Sequence, residues 1–431
     1  MHLITNEYHF TDNSQEINKD IIFVSNNYNK KYIEQVKQAG CKRIIASSQL
    51  KDFFDFSPIK IIGITGTNGK TTTAAAIYSF LLDLGYKVAL QGTRGFFIND
   101  ERIEEYSLTT PMQVTNFSHI QKAIKNECDF FIMEVSSHAI AQNRIEGLTF
   151  ELKIHTNITR DHLDYHNTIE EYINIKNSFF SDDGKKLINK DDPKVNVNRK
   201  NAYAYSLDKP STYKVQAYSF KEGMQVAISH IGEMVNFSSS MMGIFNIYNL
   251  TAAIAAVDIV TNKNLEEICL VVENFAGVEG RMEIISKEPL IIVDFAHTPD
   301  GMKEVFESFN HKDIIVVFGA GGDRDQSKRA IMGKMAATYA KHIIITSDNP
   351  RFEDPDLIVS DILSGIKNKQ NVKIDINRKA AIAKAIALAS KDSVVLVLGK
   401  GDESTQTIYD KKFPLLDKKI ILDCLANQNI K

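Results

Sequence analysis

Residues 59–82 read IKIIGITGTNGKTTTAAAIYSFLL: an apolar strand, a loop holding Gly63, Gly66 and Gly69, then Lys70 and Thr71 at the head of a long apolar helix. Glycine lets the backbone pass close to an anion. The first amides of the following helix point at that anion unpaired, at the positive end of the helix dipole. The stretch therefore reads as a cradle for the phosphates of ATP, running through Gly66, Thr67, Asn68, Gly69, Lys70, Thr71 and Thr72. In it Lys70 neutralises β/γ-phosphate charge and Thr71 places its hydroxyl on Mg²⁺. The strict pattern wants a glycine five positions before Gly69, where this chain has Ile64, so the loop is a variant. The plainer alternative is a glycine-rich turn between strand and helix, but such a turn has no use for Lys-Thr-Thr-Thr.

Working outward, residues 1–57 form a small α/β unit with a strand at 20–25, a helix at 31–39 and a strand at 43–47. Beyond the cradle come apolar runs at 129–137 and 151–159, a helix at 168–180 and a long apolar helix at 246–260. The Ser-, Tyr- and Val-rich stretch between these two helices predicts short antiparallel strands at the domain edge. After Arg281 a second series begins, LIIVDFA (290–296), DIIVVFGA (313–320), HIIITSD (342–348) and SVVLVLGK (393–400), with helical segments between. Short, continuously apolar strands alternating with helices predict an α/β fold with mostly parallel sheet covered on both faces. Ligands of such sheets bind beyond the carboxyl ends of the strands. That is where Asp294 and His297, GGDR (321–324), DNPR (348–351) and GKGDE (399–403) fall.

Composition narrows the class. At 431 residues and 43% apolar content, the chain has material for several cores, and a net charge of −3 with interspersed signs marks no nucleic-acid surface. Cys41, Cys128, Cys269 and Cys424 lie far apart without CxxC spacing, which argues against zinc or disulfides and for a reducing cytoplasm. The start, MHLITNEYHF, lacks a basic and then apolar leader, and no apolar run approaches bilayer length. A soluble, cytoplasmic protein without membrane insertion is expected.

Three further features carry chemistry. Glu134 ends the run 129–135, where nucleotide-binding sheets place an acid for a metal, with Ser136, Ser137 and His138 continuing from it. An acid that merely ends a strand is the alternative. TNITRDHLDYH (156–166) sets His162 and His166 four apart beside Asp161 and Asp164. Zinc would need three or four ligands, so the pair is either packed or capping, or one histidine serves a second Mg²⁺. Lys176 lies on the apolar stripe of its helix, next to Tyr172, Ile173, Phe179 and Phe180. Either it snorkels to the surface, or it is a lysine of lowered pKa that takes up CO₂ to make a metal-binding carbamate.

In order along the chain, GTNGKTTT, EVSSHAIAQNRI, TNITRDHLDYH, the Lys176 helix, GIFNIYN, GRME, DFAHTPD, GAGGDRD, DNPR and GKGDE resemble the Mur ligase family over about residues 59–410. The resemblance implies three domains. Residues 1–57 hold the UDP end of the substrate, residues 58–284 form a P-loop ATPase domain, and residues 285–431 form a Rossmann-like domain receiving an amino acid. It implies a ligase that makes an acyl phosphate from ATP and a substrate carboxylate, and then an amide. By resemblance Thr71 and Glu134 serve one Mg²⁺, and His162 with carbamylated Lys176 the other; Lys70, Lys176 and His162 are the catalytic set. Asn246, Asn249 and Arg281 match positions near the nucleotide. Ser14, Thr109, Thr110, Ser136, Gln142 and Arg144 match positions that hold UDP-MurNAc-L-Ala-D-Glu.

DNPR resembles the form that selects meso-diaminopimelate over L-lysine. A guanidinium grips the extra carboxylate bidentately, a contact that lysine cannot reward. Arg351 takes that role among Asp348, Asn349 and Pro350; Arg324 holds the carboxylate nearer the reacting amine; Gly399 and Glu403 hold the distal end. Relatives usually have GKGHE where this chain has Asp402, and Asn where it has Leu108, and the loop after residue 25 is cut down to NNYNKKY. A monomer acting on small molecules is expected. The rivals are an L-lysine-adding enzyme, another Mur or folylpolyglutamate-type ligase, and a P-loop ATPase without ligase activity.

Overall fold

The computed structural model describes residues 2–4, 8–105, 108–221 and 223–428. Met1 and residues 5–7 of the N-terminal segment, and residues 429–431 at the end of the C-terminal one, lie outside the described residues. The chain forms two compact units. One joins Met1–Ile158, Glu170–Ser239 and Tyr248–Phe275; the other joins Thr159–Ile169, Ser240–Ile247 and Ala276–Lys431.

In the first unit a four-stranded sheet runs His2–Ile4, His9–Thr11, Ile21–Ser25, Arg43–Ala46, antiparallel at the first pair and parallel thereafter. Its first two strands escape sequence reading because three residues show no period. Phe10, Ile22, Val24, Ile45 and Leu50 share one core with Val114 and Phe117 of helix Gln113–Lys125. Phe54 and Phe56 meet the Phe117 ring edge-on at 5.5 and 4.9 Å. Gln113 Nε2 reinforces this by donating to the carbonyls of Ser47 and Glu146, 3.0 and 2.8 Å away.

The larger sheet has eleven strands. Its parallel centre runs Lys186–Asn189, Leu152–His155, Lys60–Thr65, Phe130–Glu134, Val88–Gly92. The run at 129–137 is not strand throughout: it stops at Glu134, where Ser136 caps the helix Ser137–Ala141 by accepting from Ala139 N. The stretch expected as antiparallel is mixed. Lys186–Asn189, Ala202–Ser206 and Tyr213–Ser219 pair in parallel, and only Met224–His230 and Glu233–Ser239 run antiparallel. Helix Lys70–Asp83 follows the cradle, and helix Ile244–Val260 is packed all round through Ile247, Leu250, Ala253, Ile254 and Val257.

The second unit is a six-stranded sheet, Glu283–Lys287, Leu290–Asp294, Ser393–Leu398, Asp313–Phe318, His342–Ile345, Val372–Ile374, parallel except for its first pair. Successive side chains alternate between two cores. Ile292, Val316 and Leu396 face a cluster with helices Pro299–Glu307, Ser327–Tyr339 and Pro355–Ser364. Ile291, Val317 and Val397 face one with Arg378–Ala387 and Asp417–Gln428. The sheet is thus covered on both faces, as the apolar runs predict. Among the described residues no helix is long and apolar enough to cross a membrane.

Candidate functional site

The cradle is held from the neighbouring strand. Gly66 runs so close to residue 156 that a Cβ would lie 1.8 Å from Thr156 Oγ1. Thr156 Oγ1 donates to the Asn68 carbonyl at 2.6 Å, Asn68 N donates to Asn157 Oδ1 at 3.0 Å, and Thr67 N donates to the Asn157 carbonyl at 2.7 Å. Thr156 and Asn157 open the TNITRDHLDYH motif and carry no role that the motif itself reveals. Their signal is position, the first residues beyond a strand paired in parallel with Lys60–Thr65.

Two lysines converge on this loop. Lys70 Nζ donates to the carbonyls of Gly66 and Thr67 at 2.7 and 2.9 Å. Lys176 Nζ donates to the same Gly66 carbonyl at 2.9 Å and to Thr65 Oγ1 at 3.4 Å. Lys176 is 1% exposed, with Nζ 5.0 Å from the centre of the Tyr172 ring, so it does not snorkel: its helix faces the cradle, and its ammonium is spent there. Tyr172 OH meets Thr67 Oγ1 at 2.9 Å. Thr72 is buried, and Asn249, from helix Ile244–Val260, accepts from Thr73 Oγ1 at 3.4 Å.

Glu134 sits beside the cradle, 2% exposed. It accepts from Thr71 Oγ1 at 2.9 Å, from Thr93 N at 2.9 Å and from Thr93 Oγ1 at 3.3 Å. Thr93 in turn meets Thr109 Oγ1 at 3.1 Å. Thr110 is fully buried: its hydroxyl donates to the Glu134 carbonyl and accepts from Ser136 N, each at 2.9 Å. Arg144 Nη1 donates to the Thr110 carbonyl and Nε to Gln142 Oε1, each at 2.8 Å, so the two segments carrying Thr109, Thr110, Gln142 and Arg144 are tied together. Ser14 lies in the turn after His9–Thr11. In the shortened loop Asn29 Nδ2 donates to the carbonyls of Asp12 and Val24 at 3.0 and 2.9 Å.

The second unit holds the remaining predicted residues. His162 and His166 are not a pair on a helix face: His162 has φ +55° and precedes the four-residue helix Leu163–His166, whose His166 is buried. His162 Nε2 lies 3.4 Å from Asp161 Oδ2, and His297 Nε2 lies 4.0 Å from the same atom. Burial works to raise the Asp161 carboxyl, but His162, His297, Lys328 and the His162 amide outweigh it and hold it at about 2. Asp294 caps the backbone: Met282 N and Ala296 N donate to its two oxygens at 2.7 Å each. Arg281 lies over the Phe295 ring at 4.0 Å, and Asn246 Nδ2 donates to the Met242 carbonyl at 2.7 Å.

GGDR, DNPR and GKGDE meet at the carboxyl edge of the six-stranded sheet. Gly322 N donates to the Asn349 carbonyl at 2.9 Å, in an approach where a Cβ would lie 1.9 Å from the Pro350 carbonyl oxygen. Arg351, at φ +50°, donates through Nη1 to the Gly322 carbonyl at 2.6 Å. Burial works against its charge and Arg324 adds to that, with Asp348, Glu403 and Asp323 opposing. Arg324 itself lies 3.9 Å from Asp164. Lys400, a residue that sequence reading leaves without a role, is fully buried, and its Nζ donates to Glu403 Oε2, Asn349 Oδ1 and the Thr405 carbonyl at 2.7, 3.2 and 2.8 Å. Asn349 Nδ2 donates to the same Glu403 oxygen at 2.9 Å. The Asp348 carboxylate accepts from Asn349 N at 2.7 Å and lies close beside Gly399.

Residues 64–257 match the Mur ligase middle domain, and residues 280–401 match the Mur ligase glutamate ligase domain. The chain is 51% identical over 96% of both chains to the UDP-N-acetylmuramoyl-L-alanyl-D-glutamate–2,6-diaminopimelate ligase of Wolinella succinogenes. It is 47% identical to the protein of the same name from Helicobacter pylori, over 97% of this chain and 95% of that one. Among solved structures, one of a ligase of that name superposes with TM-score 0.69 at 27% identity, covering 97% of this chain and 95% of the other.

Proposed function

We propose, because this chain belongs to the Mur ligase family and to its MurE branch, that it is an ATP-dependent ligase joining meso-diaminopimelate to UDP-MurNAc-L-Ala-D-Glu in peptidoglycan synthesis. The observation that carries this is 51% identity over 96% of both chains to a relative named for that reaction. We take residues 1–57, 58–284 and 285–431 as the UDP-binding, ATP-binding and amino-acid-binding domains of a cytoplasmic monomer.

In the first step an oxygen of the substrate carboxylate attacks the γ-phosphorus, the bond to ADP breaks, and an acyl phosphate remains. The diaminopimelate amine, having lost its ammonium proton, then attacks the acyl carbon and inorganic phosphate leaves. Such chemistry asks the protein mainly for positioning and charge neutralisation. The amides of Gly66, Thr67, Asn68 and Gly69 and the head of helix Lys70–Asp83 orient the phosphates, with Lys70 moving from loop carbonyls to phosphate oxygens. Asn246, Asn249 and Arg281 hold the rest of the nucleotide.

Mg²⁺ fits Thr71 and Glu134. Both offer hard oxygen, and among the described residues the buried Glu134 carboxylate is faced by neutral donors only, which leaves room for a cation. When bound, the ion draws charge from the phosphates. His162 keeps the ligand role that the resemblance gives it. Lys176, as neutral amine, adds to CO₂ through nitrogen and releases a proton, and the carbamate nitrogen keeps one hydrogen for the Gly66 carbonyl it already meets. Ser14, Thr109, Ser136, Gln142 and Arg144 hold the muramoyl dipeptide, and the buried Thr110 shapes its segment.

Arg351, whose charge burial disfavours and Arg324 disfavours further, and Arg324 itself are assigned to the substrate's carboxylates. Asp348, Asn349, Pro350, Gly399 and Glu403 complete the pocket for the distal amino-acid end. Mass analysis of the product from a panel of amino acids tests the assignment. Addition of meso-diaminopimelate in preference to L-lysine supports it, and the reverse preference refutes it.

A further inference from the structure

Arg329, in the first turn of helix Ser327–Tyr339, is 1% exposed and belongs to none of the assignments above. A guanidinium so placed needs compensation, and Glu353 supplies most of it. Arg329 Nη1 donates to Glu353 Oε2 and Nη2 to Glu353 Oε1, each at 2.9 Å, the two-pronged grip that fixes both partners in one plane. Nη1 also donates to Asp361 Oδ2 at 2.9 Å. The bond from Arg329 holds the Glu353 carboxyl below its ordinary range, with burial opposing, so the acid is ionised near neutral pH.

What the pair holds is the loop of GGDR. Arg329 Nη2 donates to the Gly321 carbonyl at 3.2 Å, and Glu353 Oε1 accepts from Asp323 N. These two contacts bracket Gly322. Its carbonyl is the one that accepts from Arg351 Nη1 at 2.6 Å. The main chain of Arg351 is pinned separately: its N donates to the Thr407 carbonyl at 3.2 Å, its carbonyl accepts from Tyr409 N at 2.7 Å, and Glu353 N closes the turn onto the Pro350 carbonyl at 3.0 Å. With that backbone fixed, the Gly322 carbonyl sets where the guanidinium points. A tether at Nη1 leaves the Nε–Nη2 edge to face a carboxylate.

We propose that Arg329 and Glu353 are positioning residues that aim Arg351 through the Gly322 carbonyl, and so sharpen the choice of an amino acid with a second carboxylate over one without. This rests on the role given to Arg351 above. Without the clamp, Gly321 and Asp323 lose their side-chain ties, the Gly322 carbonyl drifts, and Arg351 meets the carboxylate off its two-pronged geometry. L-Lysine has no carboxylate there and loses nothing by that drift. A displaced Arg324 would instead weaken both amino acids alike, since both carry the carboxylate assigned to it.

Glu353→Gln keeps the size of the side chain but withdraws its charge and turns an amide donor toward Arg329. Arg329→Lys keeps the charge and loses the fork, and carries the same test should Glu353→Gln not fold. In either variant KM for meso-diaminopimelate should rise about tenfold with kcat within about threefold, while kcat/KM for L-lysine and KM for ATP stay within about twofold. The double variant should match the worse single one within about twofold, because the two side chains act as a unit. Hydrogen exchange of the full chain without substrate, read by mass spectrometry, should be about tenfold faster over residues 321–326 in Glu353→Gln than in wild type. An unchanged preference in both single variants, equal losses for the two amino acids, or unchanged exchange overturns the proposal. Absence of any ligation by wild type would instead sink the functional reading, and the exchange, which needs no substrate, would still decide whether the pair holds the loop.

Discussion

Lys400 spends its ammonium inside the second unit on Glu403 Oε2, Asn349 Oδ1 and the Thr405 carbonyl. With Asn349 Nδ2 on that same Glu403 oxygen, Oε1 is the atom that the proposed assignment gives to a substrate ammonium. Lys400→Met should therefore raise KM for the amino acid about tenfold and cost about 2 kcal/mol of stability, measured by substrate titration and urea unfolding. On the proposed assignment, Arg351→Ala removes the grip on the extra carboxylate. It should lower kcat/KM for meso-diaminopimelate about 100-fold and erase its advantage over L-lysine. An unchanged preference would remove Arg351 from its role. Arg351 and Glu403 are legible in the sequence because their motifs are. Lys400 is not: a lysine between two glycines looks like a solvated loop, and its burial follows only from how DNPR folds over it. Lys176 shows the same limit from the other side, since its place on an apolar stripe favours snorkelling over burial until the cradle's position is known.

At the scale of elements, the strand–loop–helix at 60–83 is where residue pattern and structure agree most closely, because one short segment contains its own signals. Its support is less legible: Thr156 and Asn157 lie about ninety positions on and reach the loop only through parallel pairing of Leu152–His155 with Lys60–Thr65. Gly66→Ala should abolish ATP binding by calorimetry while leaving far-ultraviolet circular dichroism unchanged. The mixed direction of the strands at 186–239 is hidden for a related reason, since alternation reports a strand but not the sense of its partner.

Asp191 holds one of these connections, accepting from Leu207 N, Asp208 N and Lys209 N at 2.6, 3.0 and 3.0 Å and from Tyr248 OH at 2.9 Å. Burial tends to raise this carboxyl, yet the donated amides outweigh it and the net shift is downward. A carboxyl lowered in the folded state stabilises above its unfolded pKa and loses that contribution as pH falls through the folded one. Asp191→Asn should thus melt below wild type at pH 7, with the gap closing below about pH 4 in thermal scans.

At the scale of the molecule, the chain carries two open α/β sheets, with a cradle and a buried acid in one unit and an edge of converging charged loops in the other. An ATPase alone would have no use for the second. The fold class and the family are legible from motif order along the chain. If Lys176 carries a carbamate, CO₂-depleted enzyme should lose activity and regain it with bicarbonate, and Lys176→Ala should be inactive in both conditions; full activity without CO₂ would exclude it. The central claim is tested most directly by phosphate release from ATP. It should require UDP-MurNAc-L-Ala-D-Glu and meso-diaminopimelate together, with one phosphate per amide formed, and release indifferent to both would contradict it.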